Sequence, residues 1–309
     1  MEIPSSGEKK ERGKNTEVCF TFVRHSQKKS GNVFINGRIS LSSLSEGGRQ
    51  RAQEFGRKVL SGRSINRAYA TEIDRTKETL QCALDGAGVG SLILRKKDGM
   101  AAFFDLPIPE ISADANPKIG EKYVEIMNRR KAEYMAVRYS EQKFDELTPD
   151  QQEEIMEFAE EDSIEYLLSE GDEIDETGHR ASEYDAAGVA FKVNRLINLP
   201  DFMPGGKAID LVSSGHKTST EAFLKYAVIQ KNGKHGFDKL SEIGGSLKIL
   251  DSWTLTVEND EAGRKKVSFI LKREGGDDQK FDLDVAAIKE LAKLHMEIKS
   301  IIPKKIDEI

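Results

Sequence analysis

The first third of the chain alternates short apolar runs with stretches of helical periodicity. VCFTFV, Val18–Val23, is a continuous apolar run of strand length. A Ser/Gly/Asn-rich loop, SQKKSGNVFINGRISLSS, follows. Next comes a helix whose apolar positions are Ala52, Phe55, Val59 and Leu60, with Ser45 and Glu46 standing where an N-cap and a first-turn acid belong. INRAYA, Ile65–Ala70, predicts a second strand that leads through TEIDRT into a helix with Ile73, Thr76, Leu80, Ala83 and Leu84 on one face. SLILRKKDGMAAFFDLPIPE then reads as extended, with a proline-marked exit. Strand and helix in this rhythm predict βαβ units: a three-layer α/β fold with a mixed, mostly parallel sheet flanked by helices.

The rhythm breaks over residues 117–180, which read as helical and acidic. Glu141–Glu176 holds sixteen acids and a single lysine, the mark of a solvated helical insertion or of a cap over a site. It returns at Ser182 with a helix carrying Val189, Val193, Leu196 and Ile197 in register, then a strand, Ala208–Val212, that ends in SSGH before the helical KTSTEAFLKYAVI. GGSLKILDSWTLTV and KKVSFILKR, joined by ENDEAGR, predict a hairpin, and Asp284–Ser300 a closing helix. The expected organisation is a polar, disordered tail over 1–16 and one domain over 17–309 that carries the 117–180 insertion.

Composition narrows the class. The chain has 309 residues, 38% of them hydrophobic and 32% charged, with a net charge of −6. That is enough apolar material for a core, and no general nucleic-acid binder is expected of an acidic chain. Cys19 and Cys82 have no metal-type spacing and read as reduced core residues. No stretch approaches the roughly 20 apolar residues of a membrane span, and MEIPSSGEKKERGKN has no apolar segment of the secretory kind. A soluble, cytoplasmic protein without a membrane partner is expected; the sequence does not speak to oligomeric state.

Three strand ends carry the candidate chemistry. Val18–Val23 runs into Arg24-His25, Ile65–Ala70 leads to a helix bearing Arg75, and Ala208–Val212 runs into Ser213-Ser214-Gly215-His216. As parallel neighbours these strands would bring two arginines and two histidines to one sheet edge, where open α/β sheets place their sites. Guanidinium groups bind phosphate oxygens in bidentate fashion, and a helix N-terminus after SSGH adds N–H donors. A neutral histidine can attack phosphorus, with arginines stabilising the transition state. Lys28, Lys29 and Arg38 stand near the pocket mouth and either welcome a polyanion or solubilise the surface. His179, His235 and His295 read as structural or surface residues.

FVRHS, LSSLSEGGRQRAQEFG, INRAYATEIDRTKETL and DLVSSGHKTSTEAFL together resemble the motifs of the histidine phosphatase superfamily, the phosphoglycerate mutase-like group; GGSLKIL also has counterparts there. The resemblance covers residues 17–110 and 182–255. It implies that His25 is the nucleophile, becoming phosphohistidine, and that Arg24, Arg75 and His216 bind the phosphoryl group and stabilise its transition state. It implies no metal and no cofactor, and a phosphorylated small molecule or phosphoprotein as substrate. The general acid in that family is a carboxylate after the second helix; Glu110 is the first candidate, with Asp114 and Glu121 as rivals.

Two departures from the family pattern stand out. Ser26 replaces the usual glycine after the nucleophile, either crowding the phosphate or adding a hydroxyl donor. QKKSGNVFINGR lacks the tryptophan-asparagine and Gly-Trp pattern of the cofactor-dependent mutases, and no Glu-Arg-x-Tyr-Gly segment follows. The sequence therefore points to a metal-independent phosphatase. A phosphomutase of the same superfamily and a non-catalytic phosphate-binding or scaffold protein are the alternatives.

Overall fold

The computed structural model describes residues 11–28, 34–35, 38–39, 43–71, 73–90, 100–102, 117–169, 174 and 178–301. Its strands are β1 (Thr16–Arg24), β2 (Phe34–Ile35), β3 (Arg38–Ile39), β4 (Ile65–Ala70), β5 (Met100–Ala102), β6 (Ala208–Gly215), β7 (Val228–Ile229), β8 (Ser252–Asn259), β9 (Lys265–Lys272) and β10 (Gln279–Leu283). Its α-helices are α1 (Glu46–Phe55), α2 (Asp74–Gly86), α3 (Pro117–Arg138), α4 (Pro149–Leu168), α5 (Ala181–Phe202), α6 (Lys217–Ala227) and α7 (Val285–Ile301).

Eight strands form one mixed sheet in the order β5-β4-β6-β1-β8-β9-β10-β7, with β2 and β3 paired apart from it. The β5-β4-β6-β1 half is parallel. The β1-β8, β8-β9, β9-β10 and β10-β7 pairings are antiparallel, so the expected mostly parallel sheet is corrected to one that is parallel in one half only. The cause lies in the connections. β8, β9 and β10 follow one another through turns far too short for a parallel crossover, and short turns close antiparallel ladders.

β1 sits at the junction of the two halves and sorts its side chains by alternation. Val18, Phe20 and Phe22 enter a cluster with α5, α6 and α7. Val23 joins Ala52, Phe55, Leu80, Ala83 and Leu84 of α1 and α2 on the opposite face. Helices therefore cover both faces, as a three-layer α/β fold requires. Trp253 of β8 centres the larger cluster, with Phe20, Phe22 and Phe269 rings 5.2, 5.5 and 5.3 Å away. Full burial of each such side chain contributes about 1.5–3 kcal/mol.

The turn that continues α1, Gly56–Leu60, is π-helical, and there α1 and α2 pack backbone to backbone. A Cβ on Gly56 would stand 1.8 Å from the Ala83 carbonyl oxygen, and one on Gly86 2.0 Å from that of Gln53. Glycine alone permits this approach.

Residues 1–10 of the expected tail lie outside the described residues. Residues 11–16 are bound to the body rather than loose: Gly13 N–H donates to Met203 C=O (2.9 Å), Gly205 N–H to Glu11 C=O (3.0 Å), and Thr16 opens β1. Most of the expected extended segment over 91–110 also lies outside them, β5 being the described part. In the acidic region, α3 and α4 pair in opposite directions: the Tyr134 and Phe158 rings meet at a tilt with centroids 4.7 Å apart, and Arg130 reaches Asp162 (2.5 Å). Among the described residues no helix is long and apolar enough to cross a membrane.

Candidate functional site

Because β4, β6 and β1 are parallel neighbours, their carboxyl ends lie side by side. Arg24 faces Gly215, and Ala70 faces Ser214. His25 follows β1 directly, its N–H donating to Gly215 C=O (3.0 Å), and His216 follows β6. The two imidazoles meet edge to face with centroids 5.3 Å apart. Arg75, in the first turn of α2, brings Nη2 to 3.5 Å from His216 Nδ1. His25, His216 and Arg75 thus share one edge of the sheet, and Arg24 enters it from the last residue of β1.

His25 is held by its own loop. Its Nδ1 lies 2.8 Å from Ser26 C=O; a carbonyl only accepts, so Nδ1 carries the proton and the neutral ring keeps its lone pair on Nε2. Burial, then the charges of Arg24, Arg75 and His216, hold His25 well below the usual histidine range. Burial, then Arg75 and Arg24, lower His216 to about 3. Both rings are neutral at physiological pH.

Ser26 is fully buried, and its hydroxyl donates to Gly48 C=O (2.8 Å), away from the histidines. Its N–H donates to Thr79 Oγ1 (2.9 Å), and Thr79 donates in turn to Arg75 C=O (2.7 Å). Thr79 therefore couples the His25 loop to the helix that carries Arg75. The approach needs a glycine at 48, where a Cβ would meet Gln27 C=O at 2.3 Å. Opposite, Thr71 Oγ1 lies 3.4 Å from His216 Nε2 and 2.7 Å from Thr76 Oγ1.

Arg24, 3% exposed, is engaged mainly by α4. Its Nη1 donates to Glu157 Oε1 (2.8 Å) and Leu247 C=O (2.6 Å); Glu160 and Glu153 lie 3.8 and 4.0 Å from Nη2. Lys217, next to His216, pairs with Glu160 at 2.6 Å. Burial raises Glu153, whereas for Glu160 the Lys217 and Arg24 charges outweigh burial and lower it. The acidic segment is thus a set of ligands to Arg24 and Lys217 and not only a solvated face. Glu153, Glu157 and Glu160 fall at i, i+4 and i+7, one stripe of a helix, which is the signal the sequence offered. Thr79 and Lys217 carried no comparable signal.

The other candidates separate from this edge or fall outside it. Glu110, Asp114 and Lys29 lie outside the described residues; Glu121 belongs to α3 and Arg38 to β3, their side chains not among those described. Lys28 bridges to Leu44 in backbone pairing. His179 meets Glu183 (3.1 Å), His235 meets Asp284 (2.6 Å), and His295 stacks on Phe191 (4.8 Å). Cys19 and Cys82 are free thiols, partly rather than fully buried.

No family model and no curated protein matches the chain. Among solved structures it is similar to Hafnia alvei phytase in its apo form (10% identity, 94% of this chain and 98% of that one, TM-score 0.45). It is similar to mycobacterial glucosyl-3-phosphoglycerate phosphatase (15%, 87% and 98%, TM-score 0.37). It is similar as well to phosphoglycerate mutase from Bacillus anthracis str. Sterne (12%, 90% and 98%, TM-score 0.37). Likeness of this size assigns neither a family nor an activity.

Proposed function

We propose that the protein is a histidine phosphatase, hydrolysing a phosphomonoester or phosphoprotein through a phosphohistidine on His25. The observation that carries the reading is the pair of buried, neutral imidazoles in contact at the ends of parallel strands, with Arg75 against one and Arg24 beside the other. A neutral ring whose Nδ1–H is tied to a carbonyl presents Nε2 as the nucleophile. In the first step His25 Nε2 bonds to phosphorus and the ester P–O bond breaks, the leaving oxygen taking a proton. In the second, water attacks the phosphohistidine, the N–P bond breaks, and inorganic phosphate leaves with His25 restored.

Arg24, Arg75 and His216 are the proposed phosphoryl ligands. Two guanidinium groups match the charge of the transferring group and stabilise its in-line transition state. Glu110 remains the proposed donor to the leaving oxygen, Asp114 and Glu121 its rivals. Glu110→Gln should slow esters with poor leaving groups far more than activated aryl phosphates, and equal losses would exclude it. Purified protein should hydrolyse an aryl phosphate in EDTA, and His25→Ala should not. Tight vanadate binding without turnover would favour a non-catalytic phosphate binder, and phosphoryl return to a substrate hydroxyl a mutase. A panel of phosphorylated substrates then names the substrate.

A further inference from the structure

The clamp arginine of the proposed site already holds anions. Glu157 Oε1 accepts from Arg24 Nη1, Glu153 and Glu160 flank Nη2, and Glu160 also pairs with Lys217. The cations at the start of α6 and at the end of β1, each beside one of the two histidines, are thus both matched by carboxylates of α4. Planar carboxylate and phosphoryl oxygens compete for the same guanidinium fork. α4 is also fastened differently at its two ends. Ile164 and Leu168, toward its C-terminus, belong to the main apolar cluster. In its N-terminal part Ile155 and Ala159 are buried outside that cluster, and its bonds to the site and its surroundings are polar: Asp150 with Gln27 and Arg51, Glu157 with Arg24 and Ile249 N–H, Glu161 with Ser246 N–H.

We propose that α4 is an autoinhibitory strap: its glutamates occupy Arg24 and Lys217 at rest, and a phosphoryl dianion binds by displacing them while the apolar C-terminal end of the helix stays anchored. The inference rests on the reading of Arg24 as a phosphoryl ligand. Displacement would release two cations beside the histidines from the α4 carboxylates, leaving Arg24 on the Leu247 carbonyl and adding to Arg75, so the strap sets both access and the charge the pocket presents. The acidic stripe also disfavours anions too weakly charged to compete, which selects dianionic phosphate over monoanions such as carboxylates.

The test compares inorganic vanadate binding to the full chain and to Glu153→Gln/Glu157→Gln/Glu160→Gln, in which amide oxygens can still accept from Arg24 and Ile249 while the charges are gone. The variant should bind vanadate about tenfold tighter, roughly the effect of one charge-assisted hydrogen bond. In the wild type, saturating vanadate should speed amide exchange over 149–161 and leave 164–168 unchanged. Should the triple variant not fold, Glu153→Gln alone, which gives up no backbone hydrogen bond, should bind about twofold tighter, as expected for loss of one nearby charge. Equal or weaker binding in the variants, with wild-type binding that is lost in Arg75→Ala, would overturn the strap and leave the phosphate site standing. No binding by either wild type or variant would overturn both.

Discussion

His216 gives the site a pH signature that can be worked out in advance. In the folded chain its imidazole stays neutral down to about pH 3, because burial and the Arg75 and Arg24 charges oppose protonation. In the unfolded chain it titrates near 6.5. The folded value is depressed, so protons bind the unfolded state preferentially between these limits. Stability must therefore fall as pH falls below 6.5. At pH 5.5 the unfolded histidine gains RT ln 11, about 1.4 kcal/mol, and at pH 7.5 less than about 0.1 kcal/mol. His25 contributes in the same sense, and Glu153 and Glu221, raised by burial, in the opposite one. Comparison with His216→Gln removes these common contributions. Urea unfolding at pH 7.5 and 5.5 should show the wild type losing about 1.4 kcal/mol more than the variant. Equal losses would mean that His216 is protonated in the folded protein at pH 5.5, and the neutral pair would be wrong.

Ser26→Ala should cost about 1 kcal/mol in urea unfolding, the worth of one buried hydrogen bond, and leave vanadate affinity intact, since the hydroxyl serves Gly48. A tenfold loss of affinity would place that hydroxyl in the anion site. Gly56→Ala should destabilise by about 1–3 kcal/mol, as overpacking does, because its Cβ would strike the Ala83 carbonyl; an unchanged melting temperature would contradict the close approach of α1 and α2. Vanadate binding at pH 6 should take up protons, since an anion beside neutral imidazoles favours their charged form. Calorimetry in buffers of different ionisation enthalpy reads this directly, and a buffer-independent heat would refute it.

The parallel half of the sheet was readable because each strand is a local apolar run ended by a chemically conspicuous residue: VCFTFV before Arg24-His25, INRAYA before the α2 helix, and the Ala208 strand before His216. Helical periodicity likewise placed Ala52, Phe55, Leu80 and Leu84 on faces that do meet in one cluster. The hairpin of β8 and β9 was readable from its turn. Its docking against β1, Thr16 opposite Asn259, was not, because pairing between strands more than two hundred residues apart leaves no periodic trace. β10 was missed because its charged and apolar residues, QKFDL, alternate in a strand too short and exposed to stand out. Composition leaves the acidic stretch open between a solvated insertion and a cap because it reports charge and not distance: only the packed structure sets Glu157 against Arg24, 133 residues away in sequence. Ser26 stays open between crowding the phosphate and adding a donor for the same reason, since the direction of its hydroxyl toward Gly48 depends on where α1 packs.

The most direct test is to trap the intermediate. Rapid acid-free quenching of the protein turning over an aryl phosphate, followed by peptide mass spectrometry, should find one acid-labile, base-stable phosphoryl group on His25 and none in His25→Ala. Turnover that persists in His25→Ala, or a phosphoryl group found on another residue, would contradict the account.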